Sequence, residues 1–320
     1  MICKDKSNSE ELKIDIVYTW VDNRDPNWLE KKSHFDKSIS NIDKDANDNC
    51  RYFNNDELKY SLRSIAQNAP WINKIYIITD EQIPKWLNIN NPRIKIVDHK
   101  DIIPKEKLPL YNSCAIEISM AFIEDLSEYF IYLNDDMFFW NKVEPEHFFQ
   151  DNKAVFRVHK RIHKFKKYKH LYGGVIYKTY SRVKEKLNIN IPFFPHHNAD
   201  SYVKSSFLRC IEDFKEEFET TINNRFRDFS DFQRIAVSYY SCGNNTAIVK
   251  KSLNWFEKLF FTQDIESKYY DIKSRNLPKI EKSKAHLMCL NDSRKTTDAD
   301  RIKIKEIMEA KFPEKSEFEV

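Results

Sequence analysis

Three groups of residues in this 320-residue chain have types and spacings that could do chemistry. The first is a set of carboxylates placed after apolar runs. Residues 129–140 read YFIYLNDDMFFW, so Asn134, Asp135 and Asp136 follow a run suited to a strand buried on both faces. Adjacent carboxylates repel, and burial makes their charge costly. Either water solvates them in an ordinary turn, or a cation does. Asp22 ends another such run, and Asn291 with Asp292 repeats the Asn–Asp pair after a third. Hard oxygen donors of this kind suit Mg²⁺ or Mn²⁺, and an ion bridging a diphosphate better than a caged structural ion.

The second group is FFPHHNADSY, residues 193–202, in which His196 and His197 precede a helix-like stretch. A ring near a helix N-terminus is kept neutral by the dipole and can act as a base; the alternative is a packed or surface histidine. The third is NNRFRDFSD, residues 223–231, where Arg225 and Arg227 either pair with Asp228 and Asp231 or clamp an anion. Arg51 and Arg63, flanking the first helix, are weaker versions of that arrangement. Metal-binding acids, a neutral histidine and free arginines are the parts of a phosphoryl-transfer site.

The elements that must position these groups alternate between strand and helix. Strand patterns at 14–22, 74–80 and 93–98 precede the 129–136 run. Helix patterns lie between them, one capped by Asn54 or Asn55 and one by Asn112 or Ser113. The pattern predicts an α/β protein with an open, mainly parallel sheet and flanking helices. Its strands finish in Asp22, Asp80, Asp98 and Asp135–Asp136, on the edge where such sheets bind ligands. The second half reads as mostly helical. An amphipathic helix is predicted over 199–222, another from 230 with Ser230 or Asp231 as cap, and a charged surface helix over 296–312. A last apolar run ends at Asn291–Asp292. We therefore expect one catalytic unit over 14–293, divided into an α/β core half (14–150) and a second half with helical insertions and a final core strand (151–293). A polar extension (1–13) precedes it, and a helix with tail (294–320) follows.

Composition excludes several classes. With glycine only at 173, 174 and 243, neither GxGxxG nor a Walker A loop can be present. A net charge of +4 does not argue for nucleic acid, and six scattered cysteines without a CxxC pair suggest neither zinc nor a disulfide framework. No stretch approaches a membrane span and the N-terminus lacks the apolar core of a signal peptide, so a cytoplasmic protein is expected, with any inner-membrane contact peripheral. Residues 157–170, RVHKRIHKFKKYKH, are either a solvated face or a docking surface for a polyanion or acidic lipid headgroups. His159 and His163 have helical spacing there, but cations around them disfavour a metal.

The strings IDIVYTWVDNRDP, RYFNNDELKYSLRSIAQNAPWINKIYIITDEQIPKWL, LPLYNSCAIEISMAFIEDLSEYFIYLNDDMFF and HLMCLNDS resemble successive blocks of the Stealth family. A looser block runs from PHHNAD through RFRDFSDFQRIAVSYY, so the likeness covers roughly residues 14 to 293. The family comprises bacterial capsular polysaccharide phosphotransferases and the eukaryotic N-acetylglucosamine-1-phosphotransferases. The resemblance implies a nucleotide-diphospho-sugar-transferase-like (GT-A/Rossmann-like) core. It implies transfer of a sugar 1-phosphate from a UDP-sugar donor to a hydroxyl of an oligo- or polysaccharide acceptor, with release of UMP. On these positions it implies Asp22, Asp135 and Asp136 around a metal–diphosphate site, and Asn291 and Asp292 match its fourth block; we expect Asp292 as a further metal ligand and Asn134, Asn291, Arg51 and Arg63 at the substrate. Some relatives have Asn at the position of Asp22. The resemblance further implies His196 as general base, with His197 as fallback, and Arg227 against the transferred phosphoryl group. The rival expectations are a glycosyltransferase that releases UDP and a non-catalytic polyanion- or lipid-binding protein.

Overall fold

The structure, a computed structural model, describes residues 12–36, 52–162, 170–252 and 265–320. In chain order its strands are β1 Ile14–Thr19, β2 Ile75–Thr79, β3 Ile94–Asp98, β4 Tyr129–Asn134, β5 Met137–Phe139 and β6 Phe149–Gln150, then β7 Lys153–Arg161, β8 Phe193–Pro195, β9 Asp200–Val203, β10 Ala247–Lys251, β11 Ser267–Asp271 and β12 Leu287–Asn291. Its helices are α1 Pro26–Asp36, α2 Glu57–Asn68, α3 His99–Ile102, α4 Ser113–Ser119 and α5 Leu171–Leu187, then α6 Lys204–Asp213, α7 Lys215–Asn223, α8 Ile235–Gly243, α9 Leu277–Glu281 and α10 Asp298–Lys311.

The main sheet has the order β3-β2-β1-β4-β9. Its first four strands are parallel and β9 closes the far edge antiparallel. Strand periodicity sorts its apolar side chains cleanly onto two faces. Ile14, Ile16, Tyr18, Ile75, Ile77, Ile131 and Leu133 pack with Leu58, Leu62 and Ile65 of α2. Val17, Tyr76, Ile78, Phe130 and Tyr132 pack on the opposite face with residues of α4, α5 and α8. Both faces are covered, so these strands read as nearly continuous apolar runs.

The chain leaves β1 to build β2 and β3 on one side, then crosses to build β4 on the other. The carboxyl ends of β1 and β4, where Thr19 pairs with Asn134, are therefore the point at which the order reverses. An open α/β sheet leaves its ligand crevice there. A small third sheet, β11-β12-β5, stands beside that point. β5 runs antiparallel to β12 with Met137 opposite Cys289, which brings the Asn291–Asp292 end close to Asp136.

The second half is less helical than the sequence suggests, since β7 to β12 all lie in it. The stretch 199–222 is not one helix: Asp200–Val203 is the strand β9, and α6 and α7 are separated at Phe214. The ladder edge left open by β4 claims the first residues of that amphipathic pattern. Asp56, not Asn54 or Asn55, precedes α2, with φ of 64°, and Asn112 caps α4 as expected. α8 starts at Ile235, and neither Ser230 nor Asp231 caps it. α10 is the charged surface helix expected over 296–312, with Ile304, Ile307 and Met308 on its buried face.

Candidate active site

A cleft of about 1300 Å³ opens over the switch point. One part of its wall is acidic. Asp135 and Asp136 form the turn between β4 and β5, and Glu57 and Asp292 face the same space. Burial and the charge of Asp136 push Asp135 up to about 8. Burial, then the charges of Glu57 and Asp292, raise Asp136 to about 7. Burial and the charge of Asp135 bring Glu57 to about 8. Each carboxylate resists ionisation chiefly because it is buried, and the neighbouring acids add to that resistance. Asp136 Oδ2 accepts a weak bond from Cys289 Sγ at 3.6 Å, while Asp136 Oδ1 is buried without a hydrogen-bond partner. Among the described residues no group of three or more His, Cys, Asp or Glu side chains is arranged to hold a metal. Two carboxylates with an orphaned oxygen nevertheless fit Mg²⁺, which is commonly held by one or two carboxylates and completed by substrate phosphates.

Another part of the wall carries the histidines and arginines. His196 and His197 lie in the turn between β8 and β9, not at a helix N-terminus, so a dipole is not what keeps them neutral. Burial and the neighbouring His159, Arg157 and Lys268 lower His196 to about 4. Burial and the charges of Arg234 and Arg227 do the same to His197. Ser267 Oγ meets His196 Nδ1 at 3.2 Å. Arg227 donates from Nε to Ser113 Oγ at 2.8 Å. Among the described residues no carboxylate closes on it: Asp231 is taken by Asn112 and Asn224, and Asp228 turns back to Ser230 N. Tyr269 links the two parts of the wall. Its ring is 5.5 Å from that of His197, and burial together with Cys289, Asp271 and Asp136 pushes its hydroxyl pKa up.

Asn134 and Asn291 line the cleft, held by Tyr132 Oη at 2.6 Å and by Asp271 Oδ1 at 3.1 Å. Two expectations need correction. Asp22 is not a wall residue, because Arg24 engages both its oxygens and Asn54 Nδ2 adds a bond at 2.9 Å. Burial works the other way, yet these bonds hold Asp22 below the usual carboxylate value. Arg63 is not a substrate residue: it is buried in a two-pronged pair with Glu319 at 2.8 and 2.9 Å and also reaches Phe312 O. Asp292 reaches the cleft, but Arg301 takes both its oxygens at 2.8 and 3.1 Å, which leaves it little capacity as a metal ligand. Arg51 and residues 163–169 of the basic segment lie outside the described residues. The start of that segment is strand, with Arg157 buried in β7 and His159 on the cleft wall, its ring 5.5 Å from His196.

Sequence reasoning missed Glu57, Arg234 and Tyr269. Arg234 is buried, donates to Asp200 at 2.5 Å and approaches Glu117 at 2.9 Å. Glu57 stands in the first turn of α2, where an acid normally serves the helix dipole, so its type and position gave no sign of a site.

Fold and cleft together define an α/β protein with an acidic and a basic wall facing one cleft at a topological switch point. Stealth protein conserved region 1 matches residues 12–40, and conserved region 2 matches residues 51–157. A capsular polysaccharide phosphotransferase of Haemophilus influenzae, fcs1, is 34% identical over 299 residues, spanning 88% of this chain and 79% of that one. The capsular polysaccharide phosphotransferase WcwK of Streptococcus pneumoniae is 29% identical, spanning 96% and 98%. The exopolysaccharide phosphotransferase cps2G of Lactiplantibacillus plantarum is 28% identical, spanning 97% of each. The chain belongs to the Stealth family, as the sequence blocks implied. A solved galactosyltransferase LgtC, in complex with donor and acceptor sugar analogues, aligns over 92% of this chain and 95% of its own at 8% identity. The TM-score of that superposition is 0.42. Among the described residues no helix is long and apolar enough to cross a membrane.

Proposed function

We propose that this protein transfers a hexose or N-acetylhexosamine 1-phosphate from a UDP-sugar to a sugar hydroxyl of a capsular or surface polysaccharide, releasing UMP. One observation carries the reading: a single cleft pairs an under-neutralised carboxylate cluster with an arginine that no described carboxylate closes. A divalent cation at Asp135 and Asp136 would supply the positive charge that a diphosphate and these acids both lack.

The residues then have distinct tasks. Arg227, steadied by Ser113, faces the charge on the oxygens of the transferred phosphoryl group. The acceptor oxygen bonds to the β-phosphorus while the bond between that phosphorus and the bridging oxygen breaks, and UMP leaves carrying the bridging oxygen on its α-phosphate. His196 takes the proton of the attacking hydroxyl. Its ring is already neutral, and in the tautomer whose Nδ1–H donates to Ser267 Oγ the Nε2 lone pair is left for the proton. His197, packed edge-on between Tyr172 and Tyr269, is the alternative base.

Incubation with Mg²⁺, a panel of UDP-sugars and oligosaccharide acceptors, followed by chromatography of the nucleotides, tests this. Acceptor-dependent UMP supports it; UDP in its place means the sugar alone moves and refutes it.

A further inference from the structure

Tyr172 and Tyr269 touch a candidate base, yet the reaction above gives them no task. Tyr172 stands in the first turn of α5 and Tyr269 in the middle of β11. Each ring meets the His197 imidazole, at 5.7 and 5.5 Å, with interplanar angles of 81° and 69°. Both line the cleft and both are 43% exposed, while Trp20, Trp28, Tyr111 and Phe194 on the same wall are buried. Scattered exposed rings would mean little, but two left half open against one histidine in a cleft are a ready contact surface. Their hydroxyl ends run inward. Burial raises both hydroxyl pKa values; Arg234, Asp200, Glu117 and Arg227 act next on Tyr172, and Cys289, Asp271, Asp136 and Tyr172 on Tyr269. The pair therefore spans the join between the basic and the acidic parts of the wall.

We propose that Tyr172 and Tyr269 form a platform for the acceptor, on which its terminal pyranose lays an apolar C–H face and so presents a hydroxyl to the histidines. The inference rests on the reading of His196 or His197 as the base, and adds where the acceptor sits and which side chains hold it. In-line displacement puts the attacking and leaving oxygens on opposite sides of the phosphorus. The attacking hydroxyl must lie within reach of its base, and these rings are in contact with His197. A pyranose carries C–H groups on its faces and hydroxyls around its rim. Tyrosine, apolar across the ring and polar at the tip, complements both. The nucleobase, the other flat ligand of this reaction, travels with the leaving group and belongs on the far side of the phosphorus.

Saturation-transfer NMR of the full chain with the methyl pyranosides of glucose, galactose, mannose, N-acetylglucosamine and N-acetylgalactosamine tests the platform without turnover. Irradiating the aromatic protons of the protein should saturate the C–H protons of one sugar face more strongly than irradiating its methyl protons does. Tyr172→Ala and Tyr269→Ala should each weaken that pyranoside about tenfold, whereas Tyr172→Phe and Tyr269→Phe should stay within about twofold, because the ring makes the contact. Saturating UMP with Mg²⁺ should leave the pyranoside bound. Absence of aromatic transfer to every pyranoside, alanine variants that bind as well as the native protein, or displacement by UMP overturns the inference. The comparison of aromatic with methyl irradiation uses the unaltered protein, so it decides the matter even where a variant does not fold. Release of UDP in turnover with the sugar contacts intact would refute the proposed reaction and leave the platform standing.

Discussion

Asp136→Asn should stabilise the metal-free protein while removing its response to Mg²⁺. Burial and Glu57 raise Asp136 from 3.8 to about 7, so its ionised form is unwelcome in the folded chain. At about 1.36 kcal/mol per pKa unit, that displacement corresponds to about 4 kcal/mol at pH 8. The repulsion is shared with Glu57 and Asp135, so one amide relieves part of it, about 1–2 kcal/mol, or about 2–5 °C in Tm. Because these acids hold protons more tightly folded than unfolded, the metal-free protein should lose stability as pH rises from about 4 to about 8. The variant should flatten that slope. Saturating Mg²⁺, at about a hundred times its Kd, should add about 2.7 kcal/mol to the native protein and almost nothing to the variant. Scanning calorimetry at pH 6 and pH 8, in EDTA and in Mg²⁺, reads all of this. A variant less stable than the native protein in EDTA at pH 8, or shifted as much by Mg²⁺, would refute the reasoning.

Arg227→Ala should lower kcat about 10³-fold with little loss of Tm, since among the described residues the side chain hydrogen-bonds to Ser113 alone, and Arg227→Lys should recover part of it; an unchanged kcat counts against the anion role. His196→Ala should lower kcat by about 10²–10⁴. The acid limb of the native pH profile should fall near 4, where His196 titrates, and a limb near the ordinary histidine value would assign the base elsewhere. Arg63→Ala should cost about 2–3 kcal/mol of stability, since buried Glu319 loses its two-pronged partner and keeps Lys59 and Ser316, with the donor KM unchanged; a raised KM at unchanged Tm would return Arg63 to substrate binding.

Much of the site was legible because strand periodicity and strand ends are local signals. The apolar runs at 14–19, 75–79 and 129–134 became neighbouring parallel strands, and the Asp135–Asp136 pair fell at the switch point because the chain crosses over between β3 and β4. What pairs with what was less legible. Arg24, two residues beyond Asp22, was a readable partner, whereas Asn54 reaches it only through the fold. Arg63 met Glu319 across 256 positions, a distance at which no spacing rule speaks. The stripe over 199–222 had helical period throughout, yet backbone pairing with β4 took its first residues. Tyr269 and Glu57 acquire meaning only when β11 and α2 bring them to Asp136.

The central claim is that phosphorus moves with the sugar. Incubating the protein with a UDP-sugar carrying ³²P at the β-phosphate, Mg²⁺ and an oligosaccharide acceptor, then separating saccharide from nucleotide, tests it most directly. The account predicts label in the saccharide and unlabelled UMP. Label left in UDP, with unlabelled sugar joined to the acceptor, would contradict it.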